Sequence, residues 1–206
     1  SLRRQRQMCI RDRFYRECAY YASKGMVAVS VDYRIGYLHH STPFESFEDA
    51  KDAICWLRSH ASDYQLDPDK IAVAGGSAGG HLAAALGTIG SDETVPAGYR
   101  PNLSVLYYPV VDMVSRGYGF PEIKRDFEKI SPIHHVSEAT PSTLILLGTK
   151  DPIVSVETIE AYQDKLLQKG VDCELHLFEG AGHPIFLYRK PLTEESVSYT
   201  HLTLPT

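Results

Sequence analysis

Hydrophobic and polar positions recur along this chain with two different periods, which predict alternating helices and strands. Apolar residues spaced three and four apart predict amphipathic helices over 14–24, 44–61 and 156–169. Short apolar runs bounded by turn residues predict strands over 26–31, 71–74, 103–108, 142–147 and 173–178. Because strand and helix alternate, we expect an α/β fold, a mostly parallel sheet with helices on both faces.

One glycine-rich turn between a predicted strand and a predicted helix carries the strongest chemical signal. A G-x-S-x-G pattern spans residues 75–79, with Ser77 at its centre. Such a turn projects a serine hydroxyl into a cleft, and we expect a side chain at Gly75 or Gly79 to crowd the corner. The helix that follows presents unpaired N–H groups, which places the Ala78 N–H to donate to an oxyanion. A surface serine in a glycine-rich loop is the alternative interpretation.

Two further candidate residues also follow predicted strands. Asp151 comes after the strand at 142–147, and His183 comes after the strand at 173–178. The carboxyl ends of parallel strands meet at one edge of a sheet, so we expect both residues to lie near Ser77. The chain order Ser, Asp, His matches a hydrolase triad, in which His183 is the general base and Asp151 orients its ring.

Other residues compete for these roles or have a structural alternative. His81 is a second candidate base, but it lies inside the helix that follows Ser77 and points poorly for proton transfer. Asp112 is a second candidate acid, since it follows another predicted strand. Asp32 is better explained by pairing with Arg34 or by a backbone turn than by an active-site role. Trp56 lies off the apolar stripe of its helix, and we expect it to pack partly in the core.

Composition narrows the class of protein. The 206 residues are 43% hydrophobic, enough for one globular domain with a substantial core. A net charge of −5 and the lack of a basic face argue against nucleic-acid binding, and no apolar run is long enough to suggest a membrane span. Without Cys9, which lies in the N-terminal stretch, the cysteines are Cys18, Cys55 and Cys173. An odd number favours buried free thiols over a set of disulfides. No C-x-x-C or H-E-x-x-H pattern occurs, and no metal site is expected.

The two ends of the chain differ from the rest. Residues 1–13 are dense in arginine without periodicity, and residues 197–206 form a polar tail. Both resemble translated sequencing-adapter sequence, so we expect neither to be native and place one catalytic domain at 14–195. The native N-terminus is then not visible, and no compartment is indicated. The irregular segment 111–129 is predicted to be a small cap or a substrate-contacting insertion.

Several motifs together resemble a known family. They are Val31-Asp32-Tyr33-Arg34, Leu66-Asp67-Pro68-Asp69-Lys70-Ile71, Gly75-Gly76-Ser77-Ala78-Gly79-Gly80-His81, Leu147-Gly148-Thr149-Lys150-Asp151 and Glu179-Gly180-Ala181-Gly182-His183. From Phe14 to about Tyr188 the chain resembles α/β-hydrolases of the acetyl esterase/lipase group, near the hormone-sensitive-lipase-like and feruloyl-esterase-like branches. The resemblance implies serine carboxylesterase activity without a cofactor, often on acetyl groups of plant or algal polysaccharides.

The chain departs from that family in one important respect. Such enzymes carry a His-Gly-Gly or Gly-Gly-Gly-Trp stretch upstream, whose N–H groups complete the oxyanion hole, and no such stretch precedes Phe14. We therefore expect a fragment without the early strands and without the helix after the histidine. Loss of one oxyanion donor typically lowers the rate by about 10² to 10³.

Two competing functions follow from the same motifs. A serine peptidase of the prolyl-oligopeptidase type has this order of motifs, and a non-catalytic binding protein could use a hydrolase scaffold. The substrate alcohol and the oligomeric state are not indicated. The aromatic residues after the strands suit either a carbohydrate-stacking surface or ordinary core packing; they are Tyr107, Tyr108, Tyr118 and Phe120.

Overall fold

In a computed structural model, helices and parallel strands alternate along the chain. The structure describes residues 14–90, 97–113, 123 and 126–183. The helices are α1 (Tyr15–Ser23), α2 (Gly36–His39), α3 (Pro43–Ser59), α4 (Ala78–Thr88), α5 (Phe127–Ile130) and α6 (Val156–Gln168). The strands are β1 (Ala72–Gly76), β2 (Leu103–Tyr107), β3 (Ser142–Gly148) and β4 (Cys173–Phe178). Short 3₁₀ turns lie at Ala61–Tyr64, Ala97–Tyr99 and Pro132–His134.

The strands form one parallel sheet in sequence order, β1-β2-β3-β4. The register pairs Gly76 with Tyr107 and Gly148 with Phe178, so the strands end close to one another. All of β2 is buried, as is β3 after its first residue, because these two strands occupy the middle of the sheet. Their apolar runs are therefore continuous rather than alternating, as expected for parallel strands covered on both faces.

Helices cover both faces of the sheet. Ser104 of β2 faces α4, since a Cβ atom built on Gly87 would lie 3.3 Å from the Ser104 Oγ. Side chains alternate along a strand, so Tyr107 points to the opposite face. There its hydroxyl lies 3.1 Å from the hydroxyl of Tyr21 on α1, and its ring centroid lies 5.9 Å from that of Phe14. The predicted layered arrangement is confirmed.

The predicted apolar stripes of the long helices face the core. In α3, Phe47 and Ile54 are buried and pack against the apolar side of α4. In α6 the buried residues are Ile159, Tyr162 and Leu166, as the spacing predicts. The N-terminus of α3 is closed by a capping box between Thr42 and Glu45, which satisfies N–H groups that would otherwise lack a partner.

The predicted strand at 26–31 does not form. The sheet holds only β1 to β4 among the described residues, and the apolar side chains of this segment are largely exposed; they are Met26, Val27, Val29 and Val31. A strand exists only where its N–H and C=O groups meet a neighbouring strand, and the apolar pattern carries no information about that neighbour.

Two single-residue expectations also differ, and the burial of a third residue was not predicted. Trp56 is 46% exposed rather than partly buried, and its ring stacks on His60 with centroids 4.2 Å apart. Cys55 is an exposed free thiol, whereas we predicted buried ones. Glu17 is buried on α1, and burial raises the pKa of its carboxyl. In each case the helix period predicts a face correctly but not what lies against it.

Some predictions fall outside the described residues. These are the artefactual ends at 1–13 and 197–206, the domain boundary at 195, and most of the segment 111–129 with Tyr118 and Phe120. Within the described part of the chain, no helix has both the length and the apolar character needed to cross a membrane.

Candidate active site

Ser77 alone makes the turn between β1 and α4. The strand continues to Gly76 and the helix begins at Ala78, so the turn is shorter than the glycine-rich pattern at 75–79. Ser77 has φ 56° and ψ −115°, a backbone conformation that costs free energy in a residue with a Cβ atom. Its N–H donates to the Tyr107 carbonyl over 3.0 Å, and its carbonyl accepts from the His81 N–H over 2.9 Å. Backbone hydrogen bonds on both sides hold the serine in this conformation.

The glycines around Ser77 have unequal roles. A Cβ atom on Gly75 would overlap the carbonyl group of Gly79, as predicted. The expectation for Gly79 itself is wrong, because a Cβ atom there would have no heavy atom within 4 Å. Gly80 is also close to other backbone, since a Cβ atom there would lie 3.0 Å from the Gly75 carbonyl oxygen and from the Pro109 Cα. Gly75 and Gly80 therefore allow β1 and α4 to approach closely, whereas the space beside Gly79 is open.

A continuous chain of hydrogen bonds joins the three candidate residues. The His183 Nε2 lies 2.9 Å from the Ser77 Oγ, and the His183 Nδ1 lies 2.6 Å from the Asp151 Oδ2. The side chain of His183 is 4% exposed and that of Asp151 is fully buried. Residues separated by more than 100 positions, Ser77 and His183, thus come within hydrogen-bonding distance.

The partners of Asp151 determine the tautomer of His183. The Asp151 Oδ1 accepts from the N–H groups of Ile153 and Val154 over 2.8 and 3.0 Å. A carboxylate only accepts hydrogen bonds, so the His183 Nδ1 carries the proton that it donates to Oδ2. The neutral ring then has a free lone pair on Nε2, which accepts from the Ser77 hydroxyl. This arrangement can remove a proton from Ser77.

The loops that carry Asp151 and His183 are bonded to each other. Lys150 donates its N–H to the Ala181 carbonyl over 2.8 Å, and Gly180 donates its N–H to the Thr149 Oγ1 over 2.8 Å. A Cβ atom on Gly148 would overlap the Ala181 carbonyl, so the two loops approach backbone to backbone. These contacts hold the carboxylate and the imidazole in a constant relative position.

The competing residues lie in other environments. His81 is fully buried, its Nε2–H donates to the Ile130 carbonyl over 2.7 Å, and desolvation lowers its pKa to about 4. It ties α4 to α5 and does not contact the Ser77 hydroxyl. The carboxylate bonded to His183 is that of Asp151, not Asp112. Arg34, one of the partners expected for Asp32, binds Asp49 of α3 over 2.7 Å.

The contact of one residue with His183 could not be predicted from the sequence, which offered Tyr108 only as a stacking or core aromatic. The ring of Tyr108 lies against His183, with ring centroids 4.7 Å apart and an interplanar angle of 64°. A tyrosine at the end of a strand is common in protein cores, so only the tertiary contact identifies it.

The Ala78 N–H lies at the first position of α4, where N–H groups have no partner within the helix. The Ser77 N–H donates to the Tyr107 carbonyl, so the next residue, Ala78, stays the candidate donor beside the serine. Among the described residues, no group of three His, Cys, Asp or Glu side chains is arranged to hold a metal ion.

The chain matches a known protein family and is similar to solved structures. The BD-FAE family model matches residues 10–116. The chain is similar to esterase 2 of Thermogutta terrifontis in its phosphoramylated form, with 34% identity and a TM-score of 0.83 over 91% of this chain and 74% of that one. Further structures of that esterase are described as butyrate bound and propionate bound. At this level of similarity the two chains share the α/β-hydrolase fold.

Curated relatives include different hydrolases. Over 169 residues the chain is 29% identical to the probable carboxylic ester hydrolase LipM of Mycobacterium tuberculosis, spanning 71% of this chain and 39% of that protein. It is 25% identical to an acetylxylan esterase of Xylanibacter ruminicola over 78% of this chain and 34% of that protein. It is 29% identical to an acylamino-acid-releasing enzyme of Arabidopsis thaliana over 84% of this chain and 25% of that protein. The chain thus spans well under half the length of each of these relatives.

Proposed function

Because the chain belongs to the BD-FAE family, we propose that it is a serine carboxylesterase that hydrolyses esters of short acyl groups, acetyl above all. The observation that carries the proposal is the hydrogen-bond chain from the Ser77 hydroxyl through His183 to the buried Asp151 carboxylate. This geometry supports an acyl-enzyme mechanism, because it pairs a nucleophile with a base and the base with a group that orients it.

In the first half of the reaction, the Ser77 Oγ attacks the ester carbonyl carbon while the His183 Nε2 accepts its proton. Asp151 stabilises the imidazolium that forms and keeps its ring oriented. The negative charge that develops on the carbonyl oxygen is stabilised by the Ala78 N–H at the N-terminus of α4. The tetrahedral intermediate then collapses, the carbon–oxygen bond to the alcohol breaks, and His183 returns the proton to the departing alkoxide.

In the second half, water replaces the alcohol. His183 removes a proton from the water as its oxygen attacks the acyl carbon of the Ser77 ester. Collapse of the second tetrahedral intermediate breaks the bond to the Ser77 Oγ, which regains its proton from His183. A carboxylic acid leaves, and the three residues return to their starting protonation states.

Support for a short acyl group comes from the relatives. The structures of esterase 2 with propionate and with butyrate concern short-chain carboxylates. The acetylxylan esterase relative acts, by its name, on acetyl groups carried by a polysaccharide. We therefore extend the proposal to acetyl esters of sugar hydroxyls as the substrate class.

The first experiment tests the nucleophile. We would treat the chain with a fluorophosphonate probe and locate the modified residue by peptide mass spectrometry. The probe is expected to label Ser77, and Ser77→Ala is expected to abolish both labelling and hydrolysis of p-nitrophenyl acetate. Ser62→Ala is the matched control, because Ser62 is exposed and lies in the 3₁₀ turn Ala61–Tyr64, outside the turn that carries Ser77. Hydrolysis that survives in Ser77→Ala would overturn the mechanism. Neither labelling nor hydrolysis in the unaltered chain would instead favour a non-catalytic binding protein on a hydrolase scaffold.

A second experiment tests the substrate class. Relative kcat/KM for acetate, butyrate and octanoate esters is expected to fall with chain length, and acetate is expected to be released from acetylated xylan. Amide hydrolysis is the competing activity, favoured by the acylamino-acid-releasing relative. A kcat/KM for acyl-peptide amides above that for acetyl esters would replace the esterase proposal with a peptidase.

A further inference from the structure

We infer that Tyr108 is a positioning residue, whose ring keeps the imidazole of His183 within hydrogen-bonding distance of Ser77. This inference rests on the proposed function, because it assigns Tyr108 a part in proton transfer between those two residues. The effect assigned to Tyr108 passes through His183, against which its ring lies.

The backbone at Tyr108 adopts an unusual conformation. Its φ is 39°, in the region that favours glycine, although tyrosine is bulky. Its N–H donates to the Leu146 carbonyl of β3 over 2.7 Å, which holds the residue beyond the end of β2. The preceding residue, Tyr107, accepts from the Ser77 N–H. Residues held in such conformations concentrate at functional sites, and here the conformation directs the ring toward His183.

The ring of Tyr108 contacts the base. Its centroid lies 4.7 Å from that of the His183 ring, at an interplanar angle of 64°, within the range of attractive aromatic pairs. Tyr108 is 3% exposed, so neighbouring atoms surround its ring. Asp151 fixes the Nδ1 side of the imidazole by one hydrogen bond, about which the ring could still tilt. Contact with the Tyr108 ring opposes that tilt.

The same ring also lies against the nucleophile turn. A Cβ atom on Gly76 would lie 2.8 Å from the Tyr108 Oη and 2.9 Å from its Cζ. Gly76 directly precedes Ser77, so the ring fills the space beside the serine that any larger residue would need. Tyr108 thus contacts both the strand end that carries the nucleophile and the base, and it sets the spacing between them.

A glycine and an alanine substitution separate this role from ordinary core packing. Both Tyr108→Gly and Tyr108→Ala remove the ring, but only glycine accepts the positive φ without strain, so the glycine variant is expected to be the more stable of the two. A positioning role predicts that both lower kcat by a similar factor, about 100-fold, with KM changed by less than about threefold. Tyr108→Phe keeps the ring and is expected to retain kcat within about threefold of the starting protein.

Two results would contradict the positioning role of Tyr108. If kcat follows thermal stability, so that Tyr108→Gly is clearly more active than Tyr108→Ala, the residue is structural and the inference is wrong. Retention of kcat within about threefold in the glycine variant would also overturn it.

A spectroscopic measurement tests the inference without turnover. The proton that His183 Nδ1 donates to Asp151 is expected to give a far-downfield proton NMR resonance, which should shift or broaden in Tyr108→Gly and persist in Tyr108→Phe. An unchanged resonance in the glycine variant would contradict the inference. Failure of the proposed function looks different, since Ser77 would then resist labelling in the unaltered chain while this resonance still reported the placement of His183.

A double-mutant cycle tests the contact with the nucleophile turn. Gly76→Ala is expected to lower the rate of fluorophosphonate labelling by at least about tenfold while Tyr108 is present, because the added Cβ pushes the buried ring onto His183. In the Tyr108→Gly background the same change should have little further effect. If the effects of the two substitutions on the labelling rate simply multiply, the turn and the base are not coupled through Tyr108.

Discussion

The acid–base side and the nucleophile side of the site are held by different physical means. Asp151 and His183 extend from two adjacent strands, and hydrogen bonds between their loops fix them to each other. Ser77 extends from β1, at the end of the sheet order, where Ala72 and Ala74 are exposed. Its position comes from its own backbone conformation and from α4 behind it, which is buried from Gly80 to Thr88.

This difference shows how a sheet can present a nucleophile from a half-exposed strand. On the acid–base side, several modest hydrogen bonds hold the two loops together, so loss of one of these loop contacts should be tolerated, unlike loss of the Asp151 carboxylate itself. On the nucleophile side, a few close backbone contacts determine the geometry, so a single added methyl group should be severe. The following predictions test that contrast in order of expected effect.

The largest effect is expected at the carboxylate. Asp151→Asn keeps the oxygen that accepts from Ile153 and Val154 but places an amide N–H₂ opposite the His183 Nδ1. The ring would then adopt the wrong tautomer, and kcat for p-nitrophenyl acetate should fall by about 10⁴. Asp164→Asn, an exposed change on α6, is the matched control. A loss below about tenfold would mean that Asp151 does not orient the base.

The next largest effect is expected at one of two glycines beside the turn, Gly75 in β1 and Gly79 in α4. A Cβ atom at Gly75 overlaps the Gly79 carbonyl group, and the backbone there cannot move without displacing Ser77. Gly75→Ala is therefore expected to lower the free energy of unfolding by about 4 kcal/mol. Gly79→Ala meets open space and should change it by less than about 1 kcal/mol. Urea denaturation measures the free energy of unfolding of both variants, and equal losses would contradict the close approach of Gly75 to the Gly79 carbonyl group.

A pH dependence should reveal the contact that holds α4. The pKa of His81 is about 4 in the folded protein against 6.5 for the free side chain, because the buried ring is desolvated. Between these values the unfolded chain binds the extra proton, so stability should be lost as pH falls from 6.5 towards 4. The loss amounts to about 3 kcal/mol.

His81→Gln is the matched variant for that measurement, since it retains a donor for the Ile130 carbonyl but does not titrate. Urea denaturation at several pH values should show a shallower fall in this variant. Glu17 has a raised pKa and contributes the opposite slope, but both proteins contain it and its effect cancels. Equal slopes in the two proteins would show that His81 does not titrate as described.

The smallest effect is expected at the hydrogen bonds between the loops that carry Asp151 and His183, because several of them act together. Thr149→Val removes the acceptor of the Gly180 N–H but leaves the other bonds between the two loops. The free energy of unfolding should fall by about 1 kcal/mol, and kcat by only a few fold. Thr149→Ser retains the hydroxyl and should restore both. A loss of unfolding free energy as large as that in Gly75→Ala would remove the contrast between the acid–base side and the nucleophile side.

Much of this architecture could be predicted from local pattern. The helix period predicts the buried face of α6, and the spacing of strands and turns predicts the bounds of β4. Ser77, Asp151 and His183 could be chosen together because each follows a strand, and the structure brings their side chains together. Their catalytic roles remain part of the proposal.

The exceptions share a physical cause. Residues 26–31 have the apolar pattern of a strand, yet strand formation needs a partner that the segment itself does not specify. Trp56 is exposed and Glu17 is buried because distant elements decide which part of a helix is covered. Among the glycines, only the tertiary contacts show that Gly80 is tight and Gly79 is open.

The sequence by itself determined the α/β class, the long helices, the four strands of the sheet and the choice of Ser77, Asp151 and His183, because period and turn chemistry are local properties of the chain. The tertiary structure decided how tightly each position is packed and which side chains touch. It brings Tyr108 against His183 and the Gly79 carbonyl against Gly75, contacts that arise only when backbone segments converge at the edge of the sheet.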